Sequence, residues 1–255
     1  MLFWQLLKTD FSIYKTKFVD RIIDLAIWTV SVILVNGYIL QAFGLSGDFG
    51  MFQTAGMFCS VFSFEIHSNI FEIVSDIDGR RHISYLLTLP GSNLAIIATK
   101  TLFYAITGLI SAIVIFPLMK IMLFKQFNLT TINYFHLILA MILTSIFFGW
   151  FTILIAQRHE NITQIRSTAI RILFPIWFFG CYLFSFKVVY FKVSKILAIL
   201  CLLSPYTFAT EAFRSAILGP EEYIPFWASI STLALLTLAA AFFGYRGLKK
   251  RLDFI

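Results

Sequence analysis

Apolar stretches of about twenty residues recur along this chain, the length a helix needs to cross the hydrocarbon of a bilayer. They read as spans over residues 22–43, 51–74, 94–119, 134–157, 169–190 and 224–246. A backbone in hydrocarbon must satisfy its own polar groups, so each span is expected as an α-helix. Six spans take about 120 of the 255 residues and leave about 135 for connections and ends. That is too little for a separate soluble domain of ordinary size. Composition argues the same way, with 59% hydrophobic and 13% charged residues and with 30 Phe, 10 Tyr and 5 Trp. A soluble core of this size could not hide so much apolar surface. A cytosolic enzyme, a disordered chain and a disulfide scaffold are excluded. The expected fold is a single all-α integral membrane domain over 1–255 with six transmembrane helices.

Two segments stand apart from the spans. Residues 1–20 place Phe3, Leu7, Phe11, Tyr14 and Phe18 near one helical face and Lys8, Ser12 and Lys15 on the other. This predicts an amphipathic helix lying in the membrane interface. Between the fifth and sixth spans, Lys192 to Gly219 is only half apolar. Its run from Ile196 to Leu203 is too short to cross, and Ser204-Pro205 interrupts it, so a re-entrant or interfacial helix pair is expected.

The net charge of +7 suggests nucleic acid until the basic residues are placed. With six spans and a cytoplasmic N-terminus, only Lys120, Lys125, Lys187, Lys192, Lys195 and Arg214 of the 20 basic residues fall outside. The positive-inside rule therefore puts both termini in the cytoplasm, and no nucleic-acid partner is expected. A seventh span would export the cluster from Arg246 to Arg251. The isolated cysteines, Cys59, Cys181 and Cys201, read as buried inert thiols and not as a disulfide or metal set. The first apolar run is too short for a cleavable signal peptide.

Catalytic patterns are missing. There is no GxxxxGK[ST], HExxH or GxSxG, and His67, His82, His136 and His159 are scattered. The second span is the least apolar, carrying Gln53, Glu65, His67 and Asn69. At about 100° per residue, Gln53, Gly56, Ser60, Ser63 and His67 form one stripe, with Glu65 nearly opposite. Two readings stay open for these groups: close packing with hydrogen bonds across helices, or a cavity or gate. The aromatics Trp177, Phe178, Phe179, Tyr182, Phe184 and Phe186 beyond Pro175 read either as lipid-facing anchors or as an apolar pathway.

The richest polar segment runs from Phe71 to Pro90, on the cytoplasmic side between the second and third spans. It reads as a solvated loop or as a docking helix for a cytosolic partner. Here the chain resembles the permease subunits of ABC-2 type exporters. The matching residues are Asp76-Ile77-Asp78-Gly79-Arg80-Arg81, then Tyr85-Leu86-Leu87-Thr88-Leu89-Pro90, with Lys100 opening the next span. A second match is Leu203-Ser204-Pro205-Tyr206-Thr207-Phe208-Ala209-Thr210-Glu211-Ala212-Phe213-Arg214. Ser204 stands where the family often has Asn. The Arg-Tyr-Lys-x-Ser-x-Leu-Gly opening of polysaccharide exporters is not found.

The resemblance implies a homodimeric permease in a bacterial plasma membrane, with two separate ABC ATPase subunits that hold ATP and Mg. No catalytic residue, metal or cofactor is expected in this chain. Coupling to the ATPase would use Asp76, Asp78, Gly79, Arg80, Arg81, Ser84, Tyr85, Leu86 and Thr88. Gln53, Ser60, Glu65, His67, Pro205, Glu211 and Arg214 are the cavity or gate candidates. A lipidic or amphipathic substrate is favoured over a lipid-linked polysaccharide. The readings from other classes are a channel, a scaffold, or an intramembrane enzyme using Glu65, His67 and His82. Glu65 and His67 point some 200° apart on one helix, so convergence would require a second chain.

Overall fold

A chain this apolar keeps its backbone hydrogen bonds inside each segment. The computed structural model is accordingly helical, with no strand among the described residues, which are 2–44, 47, 49–80, 82–88, 92–124, 127–159 and 161–252. The long helices are α1 (Leu2–Leu34), α2 (Phe49–Ser75), the short α3 (His82–Leu87), α4 (Asn93–Met122) and α5 (Tyr134–Ala156). They are followed by α6 (Thr163–Thr168), α7 (Lys195–Leu202), α8 (Pro205–Leu218) and α9 (Phe226–Leu252). Four helical stretches are long and apolar enough to cross a membrane: Phe3–Ala42, Asn93–Met122, Tyr134–Ala156 and Phe226–Arg251. Counting the bent pair α7 and α8 as one span gives a fifth. This fits a membrane-embedded protein.

Three expectations change in detail. The segment 1–20 is not a separate interfacial helix. No Gly or Pro interrupts the chain before Gly37, and α1 runs unbroken through a π turn (Val35–Ile39) to Ala42. Its expected apolar face is real, but Leu7 and Tyr14 are buried in the core, and Phe11 and Phe18 pack against it. The protein face they meet is α4, where Phe11 and Tyr14 lie edge-on to Phe103. The second expected span forms a 27-residue helix, α2, about 40 Å long. Its polar residues dilute the apolar run, and α2 is not among the four. The fifth expected span, 169–190, is cut. From α6 the helix continues through a π turn (Ala169–Leu173) to Phe174–Phe178, where regular helix gives way to turns and bends over residues 179–184. Cys181 takes φ 58°, in the left-handed region that side chains with a Cβ seldom enter. A helical turn at Phe186–Val188 and a π turn (Val189–Val193) lead into α7.

Cross-contacts fix which helix ends lie together. Lys100 near the start of α4 donates to Asp10 near the start of α1 at 2.6 Å, and Tyr38 beyond α1 donates to the Met122 carbonyl at the end of α4. These two helices run parallel. The backbone of α5 closes on α4 at Gly149, where an added Cβ would sit 2.7 Å from the Thr101 carbonyl. Arg251 at the end of α9 donates to the Ala156 and Gln157 carbonyls at the end of α5. Leu2, Leu252 and α3 therefore share one end of the bundle. At the other end, Asn133 N–H donates to the Ala216 carbonyl, and the His136 ring stacks on Phe226 at 3.9 Å. The last turn of α8 reaches this end, while α7 and α8 meet at 96° nearer mid-height, where Ser204 bonds the Ile176 carbonyl.

Candidate functional site

At the end that holds both chain ends, α2 unwinds into a π turn (Asp76–Arg80) and turns back as α3. Asp76 makes this turn. Its carboxylate accepts from the His82 N–H at 3.0 Å and the Ile83 N–H at 2.7 Å, satisfying donors that the first turn of a helix leaves open. The expected coupling residue Asp76 is thus buried and internal, while Asp78 and Gly79 are exposed on the turn. Tyr85 is 61% exposed, whereas Leu86 faces inward at 4%. Tyr85, and not Leu86, is the apolar group that α3 presents outward. Thr88 is exposed and donates to the Tyr85 carbonyl at 2.7 Å, closing the last turn. Arg81, Leu89 and Pro90 lie outside the described residues, as do the side chains of Arg80 and Ser84.

Near mid-height of α2, Pro205 opens α8 at its first turn, where its missing N–H is harmless, and α8 runs from there toward the opposite end. Ser204 precedes it in extended geometry and donates to the Ile176 carbonyl at 2.5 Å, tying α8 to the helix that follows α6. Two turns further, Glu211 and Arg214 are completely buried. Arg214 donates to the carbonyls of Cys181 at 2.5 Å, Tyr182 at 2.7 Å and Phe184 at 2.9 Å. These are acceptors that the non-helical stretch after Phe178 leaves without helical donors. Five N–H donors in a planar fork suit the task as no other side chain does. The same guanidinium lies 3.7 Å from the centre of the Phe52 ring, and Gly56 leaves it room, since a Cβ there would stand 3.0 Å from Nη2. Glu211 pairs with Arg214 at 3.6 Å. Its two oxygens also accept from the Phe186 N–H at 3.1 Å and the Ile224 N–H at 3.0 Å. The pair clamps three chain segments to one helix. Tyr223, in the loop that follows α8, stacks on Phe52, and burial pushes its hydroxyl up to about 12.

Between the two ends, the expected stripe on α2 divides by depth. Gln53 is completely buried, Ser60 accepts from Trp177 Nε1 at 2.8 Å, and Ser63 bonds the Tyr206 hydroxyl at 2.5 Å. Only His67, lower on the stripe, is exposed. Glu65 on the other face receives Arg21 of α1 at 2.9 Å and the Ser111 hydroxyl of α4 at 2.9 Å. Glu65 and His67 do not converge. No family model matches this chain, and no curated protein matches it.

Two features escaped the sequence reading. The charge pattern places Arg21 and Lys100 on the cytoplasmic side, yet each pairs with an acid inside the bundle, Arg21 with Glu65 and Lys100 with Asp10. Their spacing held a signal: Asp10 to Arg21 and Lys100 to Ser111 are equal steps along two parallel helices. The second feature is the use of Arg214 as a backbone clamp, which no local pattern announces. All three cysteines are free and buried, and no group of metal-ligating side chains occurs among the described residues. Chemically, the molecule offers a rigid polar lock at one end, a protruding tyrosine helix at the other, and an ion pair between them.

Proposed function

We propose that this chain is the membrane-embedded permease subunit of an exporter powered by a separate ATPase. The observation that carries the reading is α3, a short helix capped by Asp76, shielded by Leu86 on one side and presenting Tyr85 on the other. A helix of six residues is too short to be stable on its own, so its position comes from the cap and from the end of α2. Such a rigid, aromatic-tipped projection suits docking into a partner's cleft, where one buried aromatic often dominates the interface. It lies at the end shared by both chain ends and by Lys249, Lys250 and Arg251, the end that the positive-inside rule makes cytoplasmic.

In this reading α2 is a span despite its polar residues, and the helix from α6 to Phe178 enters the membrane from the cytoplasmic side. The bent pair α7 and α8 is then a re-entrant structure held by Glu211 and Arg214, giving six crossings. Two permeases and two ATPases form the working unit. ATP binding next door moves α3, and α2 transmits the motion to the far end, where Arg214 reaches Phe52 in its first turns. The cargo class is lipidic or amphipathic, in keeping with a surface of aromatic and aliphatic side chains. Co-expression with an adjacent ATPase gene and purification through a tag on this chain tests the reading. A stable complex of two permeases with two ATPases is expected. A pure homo-oligomer lacking nucleotide-dependent activity overturns it.

A further inference from the structure

The basic residues near the end of α9 do not all face the same way. Counted at about 100° per residue, Leu235, Leu238 and Phe242 share one face of α9 with Arg246, Lys249 and Lys250, and all six are exposed. Arg251 lies on the other face, toward α5, where it serves the Ala156 and Gln157 carbonyls. The inward positions Leu233, Thr237, Ala240 and Leu248 are buried. An apolar outer stripe therefore runs straight into three outward cations. Among the described residues none of the three has a side-chain hydrogen bond or an ion pair, and neither α5 nor α9 contains an acidic residue.

Helix length fixes where the stripe changes character. From Phe226 to Tyr245, α9 has about 20 residues without a charge, about 30 Å of helix, the thickness of a bilayer's hydrocarbon. The neighbouring α5 ends its own uncharged run at the same level. A Cβ at Gly244 would meet the Leu154 backbone at 3.3 Å, and Gly247 lies against the Gln157 side chain. Arg246 to Lys250 then covers about 6 Å along the axis, which matches the headgroup layer of about 5–8 Å on each side of the hydrocarbon. All three cations fall within that layer. A cytosolic protein would meet them behind the headgroups, so their depth favours lipid.

We propose that the outer face of α9 binds an anionic phospholipid, with the phosphate among Arg246, Lys249 and Lys250 and an acyl chain along Leu235, Leu238 and Phe242. Residues three and four apart are neighbours on a helix, so one phosphate can be shared by all three cations. The guanidinium offers paired donors to two phosphate oxygens, and the ammonium groups add point charges beside it. A zwitterionic lipid carries its own counter-charge and gains less. Under the positive-inside orientation this is a lipid of the cytoplasmic leaflet. The inference rests on the membrane-embedded fold and not on an ATPase or a cargo.

The test uses the full chain purified in mild detergent, with lipid-bound states counted by native mass spectrometry. Dioleoyl phosphatidylglycerol is expected to bind about tenfold more tightly than dioleoyl phosphatidylcholine, since each cation at such a surface contributes severalfold. Combining Arg246→Gln, Lys249→Gln and Lys250→Gln should bring the two lipids within about twofold of each other. Changing three exposed lysines of α1 together, Lys8→Gln, Lys15→Gln and Lys17→Gln, should leave the preference intact. If the α9 triple variant is not monodisperse, Lys249→Gln and Lys250→Gln singly should each lower the preference about twofold or more. Millimolar glycerol phosphate should not displace the bound lipid, because it lacks the acyl chain. No preference in the parent, equal loss in the two triple variants, or displacement by glycerol phosphate overturns the site. An unchanged preference in the α9 variant overturns it too, and loss of a co-expressed ATPase from that variant would then assign the cations to a protein partner. A missing ATPase leaves the lipid measurement untouched, and a missing lipid preference leaves the exporter reading intact.

Discussion

Arg214 shows how one side chain decides the shape of the far end. The helix from α6 stops at Phe178 because a buried fork of donors waits for the carbonyls of Cys181, Tyr182 and Phe184. Arg214→Ala leaves these acceptors unmatched and takes the counter-charge from buried Glu211, and breaking a buried pair in this way costs about 3–5 kcal/mol. Arg214→Lys should recover little, since a single ammonium cannot serve three carbonyls and a ring face. Both variants are expected to melt lower in detergent, and a melting temperature equal to the parent's would contradict the clamp. The Arg21–Glu65 pair behaves differently. Removing one partner strands a charge in a largely apolar surround, while Arg21→Leu with Glu65→Leu removes both. Stability measured over the four variants should show each single change more harmful than the double. Additive losses would contradict a paired role.

Between elements, the decisive contact is the close approach of α4 and α5. Gly149 lets the α5 backbone lie against the Thr101 carbonyl, the small-residue packing by which membrane helices gain contact. Gly149→Ala should force the two helices apart and lower thermal stability, whereas an alanine at exposed Gly79, where a Cβ meets nothing, should leave it unchanged. For α3 the cap is the controlling feature. Asp76→Ala should destabilise this one helix by about 0.5–2 kcal/mol, seen as faster amide exchange over residues 82–88 with the bundle unaltered. Much of this level was legible in the sequence. Ser204-Pro205 marks the break between α7 and α8, and the uncharged run at 134–157 became α5 nearly to the residue. The end of the helix at Phe178 was not legible, because Phe178 to Phe186 reads as a mostly apolar stretch and the carbonyls beyond it are held by Arg214, about thirty residues away. Nor was the fate of residues 1–20, since an amphipathic face has the same periodicity against lipid as against α4.

At the scale of the whole molecule, the bundle has two unlike ends joined by α2. One end is held rigid by buried Glu211 and Arg214; the other carries both chain ends, the basic cluster and α3. This polarity suits the proposed exporter role, in which work enters on one side and access changes on the other. Thiol labelling should find cysteines placed at residues 8 and 249 reactive from the same side of the membrane, and a cysteine at residue 221 reactive from the other. The central claim, that Tyr85 on α3 docks an ATPase, is met most directly by one comparison. The parent and Tyr85→Ala are each co-expressed with a candidate ABC ATPase subunit and purified through the permease. The ratio of ATPase to permease is then measured, with Phe43→Ala at an exposed site near the opposite end as control. The ratio should stay near one for the parent and the control and fall severalfold for Tyr85→Ala, with the permease folded throughout. Equal ratios for all three, or no ATPase with any, would contradict it.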